Sequence, residues 1–183
     1  MNTNTSTYRN LIKSINNRSI ALCGGKDLLK TAYSHNKYTS FANPYYYIQI
    51  RDNEFEFPIV KSDYMEQFYK ERNIDAIIQL ASIEVPLPTT QELKAFIKDN
   101  GLKRNENTVR IAYRLAKDCW VNVFYLLDIV TAIQNPVCYR AEKTFKPLYF
   151  VNKKDKNERA VLCPIRTTDD CHDYHLKNNA KLR

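Results

Sequence analysis

The densest run of chemically capable side chains is Asp169-Asp170-Cys171-His172-Asp173-Tyr174-His175. Cys171, His172 and His175 bring a thiol and two imidazoles, donors that suit zinc. A closed structural site needs four ligands, and Cys163 is the candidate for the fourth. The spacing matches no common zinc motif, so the run also reads as a polar tail, and no cofactor is expected. Cys23, beside Gly24 and Gly25, stands where a nucleophile at a turn would stand. No histidine has a context that would activate it, which favours a structural cysteine. Three glycines in all, two of them adjacent, cannot build a phosphate-cradling loop. No serine lies in a nucleophile-elbow pattern. The chain therefore reads as a binding protein rather than an enzyme. A small nuclease is a third reading, lacking a visible acid–base cluster.

The elements that must position any site come from a chain of 183 residues, 44% hydrophobic and 26% charged, enough for one generous domain. Thirteen Tyr and eight Phe supply core material. The net charge of +8 attracts polyanions such as nucleic acid. Five cysteines at irregular spacing do not suggest a disulfide framework. With neither an apolar leader nor a run of about 18 apolar residues, the expectation is a cytoplasmic protein without a membrane partner.

Periodicity predicts helices over 8–22 and 26–35, separated by the Cys23-Gly24-Gly25 break. YYYIQI, RDNE and FEFPIV predict a β-hairpin over 45–60 with Asp52-Asn53 in its turn. Met65, Phe68, Tyr69, Ile74, Ile77 and Ile78 form the apolar set of a helix over 63–80. After Pro86 and Pro88, Thr89 or Thr90 caps a helix that stops at Gly101, with Glu92 placed for a capping box. Residues 107–120 alternate like a strand through Val109, Ile111, Tyr113 and Leu115, yet also suit a helix. Asn122 opens a helix over 122–133, which Pro136 ends. Strands follow at 137–142, 146–152 and 160–166, the last two joined by the turn KKDKNE. The order predicts an α+β fold closing on a β-meander.

Two resemblances bear on function. LPTTQELKAFI followed by NENTVRIAYRLAKDCW, over 87–120, is similar to winged-helix repressors. That likeness implies a recognition helix presenting Lys103, Arg104, Arg110, Arg114 and Lys117 to DNA. A wing hairpin should follow, but 122–133 reads as a helix. The second resemblance rests on three blocks in order: Asn122, Tyr125, Leu126, Asp128, Ile129 and Ile133; then Phe145-Lys146-Pro147-Leu148-Tyr149-Phe150; then Val161-Leu162-Cys163-Pro164-Ile165-Arg166. Over 121–167 they resemble the last domain of bacterial sliding clamps, the β subunit of the replicative polymerase.

The clamp resemblance implies one domain of helices packed on a curved antiparallel sheet. Residues 1–115 would hold its first half plus a helical insertion, 116–167 its second helix and meander, and 168–183 a polar tail able to cover the pocket. It implies a function in DNA replication or its control, in a protein encoded by a phage or mobile element, with a replication-protein peptide, DNA and a second copy of the chain as partners. The peptide pocket would be built from Asn122, Tyr125, Phe145, Pro147, Val161, Leu162, Cys163, Pro164, Ile165 and Arg166. Tyr125 would gate it, and Arg166 would orient the peptide. The chain departs from the family in being too short for three domains. Its helix 122–133 also carries no Lys or Arg, unlike a helix facing DNA inside a ring.

Overall fold

A computed structural model describes residues 33–35, 38–43, 45–51, 74–104, 111–142 and 146–165. Among these, strands β1 (Tyr33–His35), β2 (Tyr38–Asn43), β3 (Tyr46–Arg51), β4 (Ile83–Val85), β7 (Pro136–Arg140), β8 (Leu148–Asn152) and β9 (Arg159–Leu162) form one sheet. Its order is β1-β2-β3-β9-β8-β7-β4, and every pairing is antiparallel. A separate two-stranded ribbon pairs β5 (Ala112–Ala116) with β6 (Cys119–Asn122). The helices are α1 (Ile74–Leu80), α2 (Thr90–Asp99) and α3 (Val123–Ala132). This is an α+β mixture built on an antiparallel sheet, and no helix among the described residues is long and apolar enough to cross a membrane.

The central strands alternate, and both of their faces are apolar. Tyr46, Ile48 and Ile50 of β3, Leu148 and Phe150 of β8, and Ala160 and Leu162 of β9 join one core with α3, Leu93 of α2 and Val121 of β6. Tyr47, Tyr149 and Val161 point the other way, where Ile77, Ile78 and Ala81 pack on them. Helices therefore cover the sheet on both sides.

Local chemistry sets the helix ends. Thr89 accepts from the Glu92 amide while the Glu92 carboxylate accepts from the Thr89 amide, the expected capping box. At the other end Leu102 N–H reaches the Ile97 carbonyl and Gly101 N–H reaches that of Lys98. Gly101 supplies the left-handed φ of 59° that this stop requires. Asn122 caps α3 as expected, and β7, β8 and β9 form the expected meander around the Lys-rich turn.

Other expectations are corrected. Residues 33–35, placed in a helix, are strand β1, and 26–32 lie outside the described residues, as does the 8–22 helix. Of the expected 45–60 hairpin only 45–51 is described: β3 pairs with β2 along one edge and with β9 along the other, and 52–60 lie outside the described residues. The described antiparallel partner that precedes β3 in sequence is β2. Of the 63–80 helix, α1 is the described part. The 107–120 ambiguity resolves for 112–122 as a strand hairpin, with Asp118 in the left-handed conformation at φ 57° in its turn. A recognition helix through Ala112–Ala116 is thereby overturned.

Candidate functional site

The closing strand leaves the sheet at Leu162 and crosses to the ribbon. Cys163 N–H donates to the Tyr45 carbonyl at 2.8 Å, and Ile165 N–H donates to the Trp120 carbonyl at 2.8 Å in an antiparallel bridge. These bonds tie the start of β3 to β6. β6 then runs straight into α3, where the Asn122 side-chain oxygen accepts from the amides of Phe124 (3.0 Å) and Tyr125 (3.3 Å). The cap fixes Tyr125 in the first turn.

Tyr125 is 7% exposed, with its ring centroid 4.8 Å from that of Tyr46 and 6.3 Å from that of Tyr45, nearly parallel to the latter. Tyr45 is 50% exposed. Half-exposed Tyr45 thus stacks on buried Tyr125, which tilts against Tyr46, and half-buried Cys163 holds the Tyr45 carbonyl. Burial, with smaller contributions from Tyr45 and Asp128, raises the Tyr125 hydroxyl to about 12 against the opposing charge of Arg104, so the ring stays neutral.

Close to these rings lies an ion pair with one buried partner, Asp128, and one exposed partner, Arg104. Arg104 donates to the two carboxylate oxygens of Asp128 at 3.2 and 3.4 Å, and its guanidinium sits 5.0 Å from the Phe124 ring centroid. The Asp128 side chain is 1% exposed and that of Arg104 37%. Burial raises the Asp128 carboxyl to about 7, and the charge and hydrogen bond of Arg104 only partly offset it.

The expected pocket residues divide. Asn122, Tyr125, Cys163, Pro164 and Ile165 come together at this end of the sheet. Leu162 is wholly buried beneath, and Val161 faces the opposite side of the sheet, against Tyr47 and Tyr149. Pro147 is half-buried just before Leu148, which stands opposite Leu162. Phe145 and Arg166 lie outside the described residues, as do Cys23, Cys171, His172 and His175. Among the described residues no group of three His, Cys, Asp or Glu side chains is placed to hold a metal.

The basic residues expected to face DNA do not share a helix. Lys103 and Arg104 follow α2, with Arg104 committed to Asp128. Arg114 is exposed on β5, 5.9 Å from the Trp120 ring centroid. Lys117 lies in the ribbon turn, and Arg110 is outside the described residues.

Sequence reasoning missed Tyr45 and the Arg104–Asp128 pair. Tyr45 begins a run of three tyrosines, a signal that one ring must leave the two-faced strand pattern. The ion pair spans 24 positions, and no local pattern announces it. Comparison with protein-family models, characterised proteins and solved structures finds no match in any of the three.

Proposed function

We propose that this protein is a non-catalytic, sliding-clamp-like module of DNA replication or its control, which captures a short apolar peptide of a replication partner. The observation that carries this reading is the exposed Tyr45 ring stacked on buried Tyr125, beside the half-buried Cys163-Pro164-Ile165 crossing. An exposed ring backed by a buried one suits an aliphatic or aromatic peptide side chain. Asn122 already serves the helix cap, so selectivity there is chiefly apolar. Parts of the first and third blocks of the clamp resemblance, Asn122 and Tyr125 with Cys163–Ile165, lie in this region, which supports the choice of a replication client.

Fluorescence anisotropy with a labelled Gln-Leu-x-Leu-Phe-type peptide tests the reading. The wild-type chain is expected to bind with micromolar affinity. Tyr45→Ala, a change at an exposed ring, is expected to weaken binding about tenfold or more. Tyr125→Ala removes the supporting ring and is expected to weaken it at least as much. Absence of binding by the folded wild type, or binding indifferent to both substitutions, overturns the proposal.

A further inference from the structure

The opposite end of β9 has a different chemistry. Residues 153–158, Lys-Lys-Asp-Lys-Asn-Glu, join β8 to β9 and contain two acids and three lysines. Both acids turn inward. Asp155 takes the Arg51 guanidinium at 2.6 Å and the Tyr38 hydroxyl at 3.1 Å, and also accepts from the Asn157 amide. Glu158 is 7% exposed and accepts from the Asn152 side chain at 2.6 Å and from the Arg51 amide at 3.3 Å. Asn152 in turn accepts from the Lys154 amide at 2.8 Å, and the Gln49 side chain donates to the Asn157 carbonyl at 2.8 Å. Although burial pushes it up, the bonds from Arg51, the Asn157 amide and Tyr38 together hold the Asp155 carboxyl below its usual range. The anchor therefore stays charged and in place near neutral pH.

Lys153, Lys154 and Lys156 are all exposed. The turn is thus a braced hairpin end whose negative charge is spent on the fold and whose positive charge faces water. Its neighbours across the strand ends, Gln134 and Asn135, are exposed and uncharged. The geometry points to the Lys153-Lys154-Lys156 turn as a docking point for the phosphate backbone of duplex DNA.

Three features of the turn select this partner among polyanions. A duplex carries about one charge per 1.7 Å of axis, so three ammonium groups on one short turn all meet phosphates. The turn has no aromatic side chain on which single-stranded bases could stack. It has no apolar side chain to enter a lipid surface. Helix α3 carries no Lys or Arg and buries most of its residues, so it offers no cation to a phosphate. The inference rests on the replication reading only for its choice of DNA as the biological polyanion, and its residues are separate from the peptide site.

The experiment is anisotropy of the full chain with a short labelled duplex, titrated from about 50 to 200 mM salt. The triple variant Lys153→Gln, Lys154→Gln, Lys156→Gln is expected to flatten the log K against log salt slope by about 3 and to weaken binding about tenfold or more. A control, Lys94→Gln with Lys98→Gln on exposed positions of α2, is expected to change the slope far less per charge removed. Urea unfolding confirms that each variant is folded. An unchanged slope in the triple variant overturns the inference, as does an equal effect per charge in the control, which would mean net charge alone. Binding of the wild type to phosphatidylserine vesicles but not to duplex overturns the choice of DNA. Loss of peptide binding in Tyr45→Ala with no change of salt slope in the triple variant would retain the peptide reading and reject this one. The reverse pattern would do the opposite.

Discussion

Asp128 gives the strongest link between the buried structure and a solution measurement. Its carboxyl rises from an ordinary 3.8 to about 7, through burial that Arg104 only partly offsets. Between those two values the folded chain holds a proton that the unfolded chain has released. Stability from this group is complete below about pH 4 and is lost as pH rises through about 7. Three pKa units at about 1.4 kcal/mol each give a loss on the order of 4 kcal/mol. That is a large share of the roughly 5–15 kcal/mol that holds a typical domain together. Asp128→Asn keeps an oxygen facing Arg104 and removes the titration. Urea unfolding from about pH 4 to about pH 8 is expected to show the variant level with wild type at the acid end and pulling ahead by a few kcal/mol at the alkaline end. Titrations elsewhere are common to both proteins and cancel in the difference. The reasoning fails if the difference is flat with pH. It also fails if the variant is weaker at the alkaline end, which would mean that attraction to Arg104 outweighs burial.

Two further outcomes follow from packing. Leu162→Ala removes a fully buried side chain at the last position of β9 and is expected to cost about 2–5 kcal/mol in urea unfolding. Burial raises the thiols of both Cys119 and Cys138, so native protein at neutral pH should leave them unmodified by iodoacetamide and expose them on unfolding. Half-buried Cys163 should react before either, as read by mass spectrometry of the digested chain.

What the sequence disclosed was local. The Thr89–Glu92 capping box, the Asn122 cap and the Gly101 stop depend on neighbours within a few positions, and each stands where residue chemistry put it. The meander of β7, β8 and β9 has short connections, so adjacent strands pair. The partner of β3 was a long-range choice between two apolar neighbours, and β9, more than a hundred positions away, took its other edge. β4 escaped notice because it is three residues long and only Val85 is buried. The ribbon was ambiguous because an alternating run of Val109, Ile111, Tyr113 and Leu115 also supports a helix. A left-handed aspartate, Asp118, closes its turn instead. The site was legible in Asn122, Tyr125 and Cys163–Ile165, but not in Tyr45, whose place depends on the Cys163–Tyr45 backbone bond.

The polar residues of the Asn122, Tyr125, Asp128 series build α3 more than they display it. Asn122 closes the helix start, Tyr125 carries the outer ring, and Asp128 holds Arg104 over Phe124. The surface proposed for recognition lies on what α3 supports, namely Tyr45 and the crossing after β9. β9 is four residues long, with this apolar end at one terminus and the braced lysine turn at the other. At about 3.3 Å per residue, the strand sets the two regions more than ~10 Å apart. A peptide anchored on Tyr45 and a duplex touching Lys153, Lys154 and Lys156 then meet different ends of the same rigid strand. Saturating the peptide site should therefore leave the salt slope of DNA binding unchanged. Direct competition between peptide and duplex would place both ligands on one surface and contradict this division of the sheet.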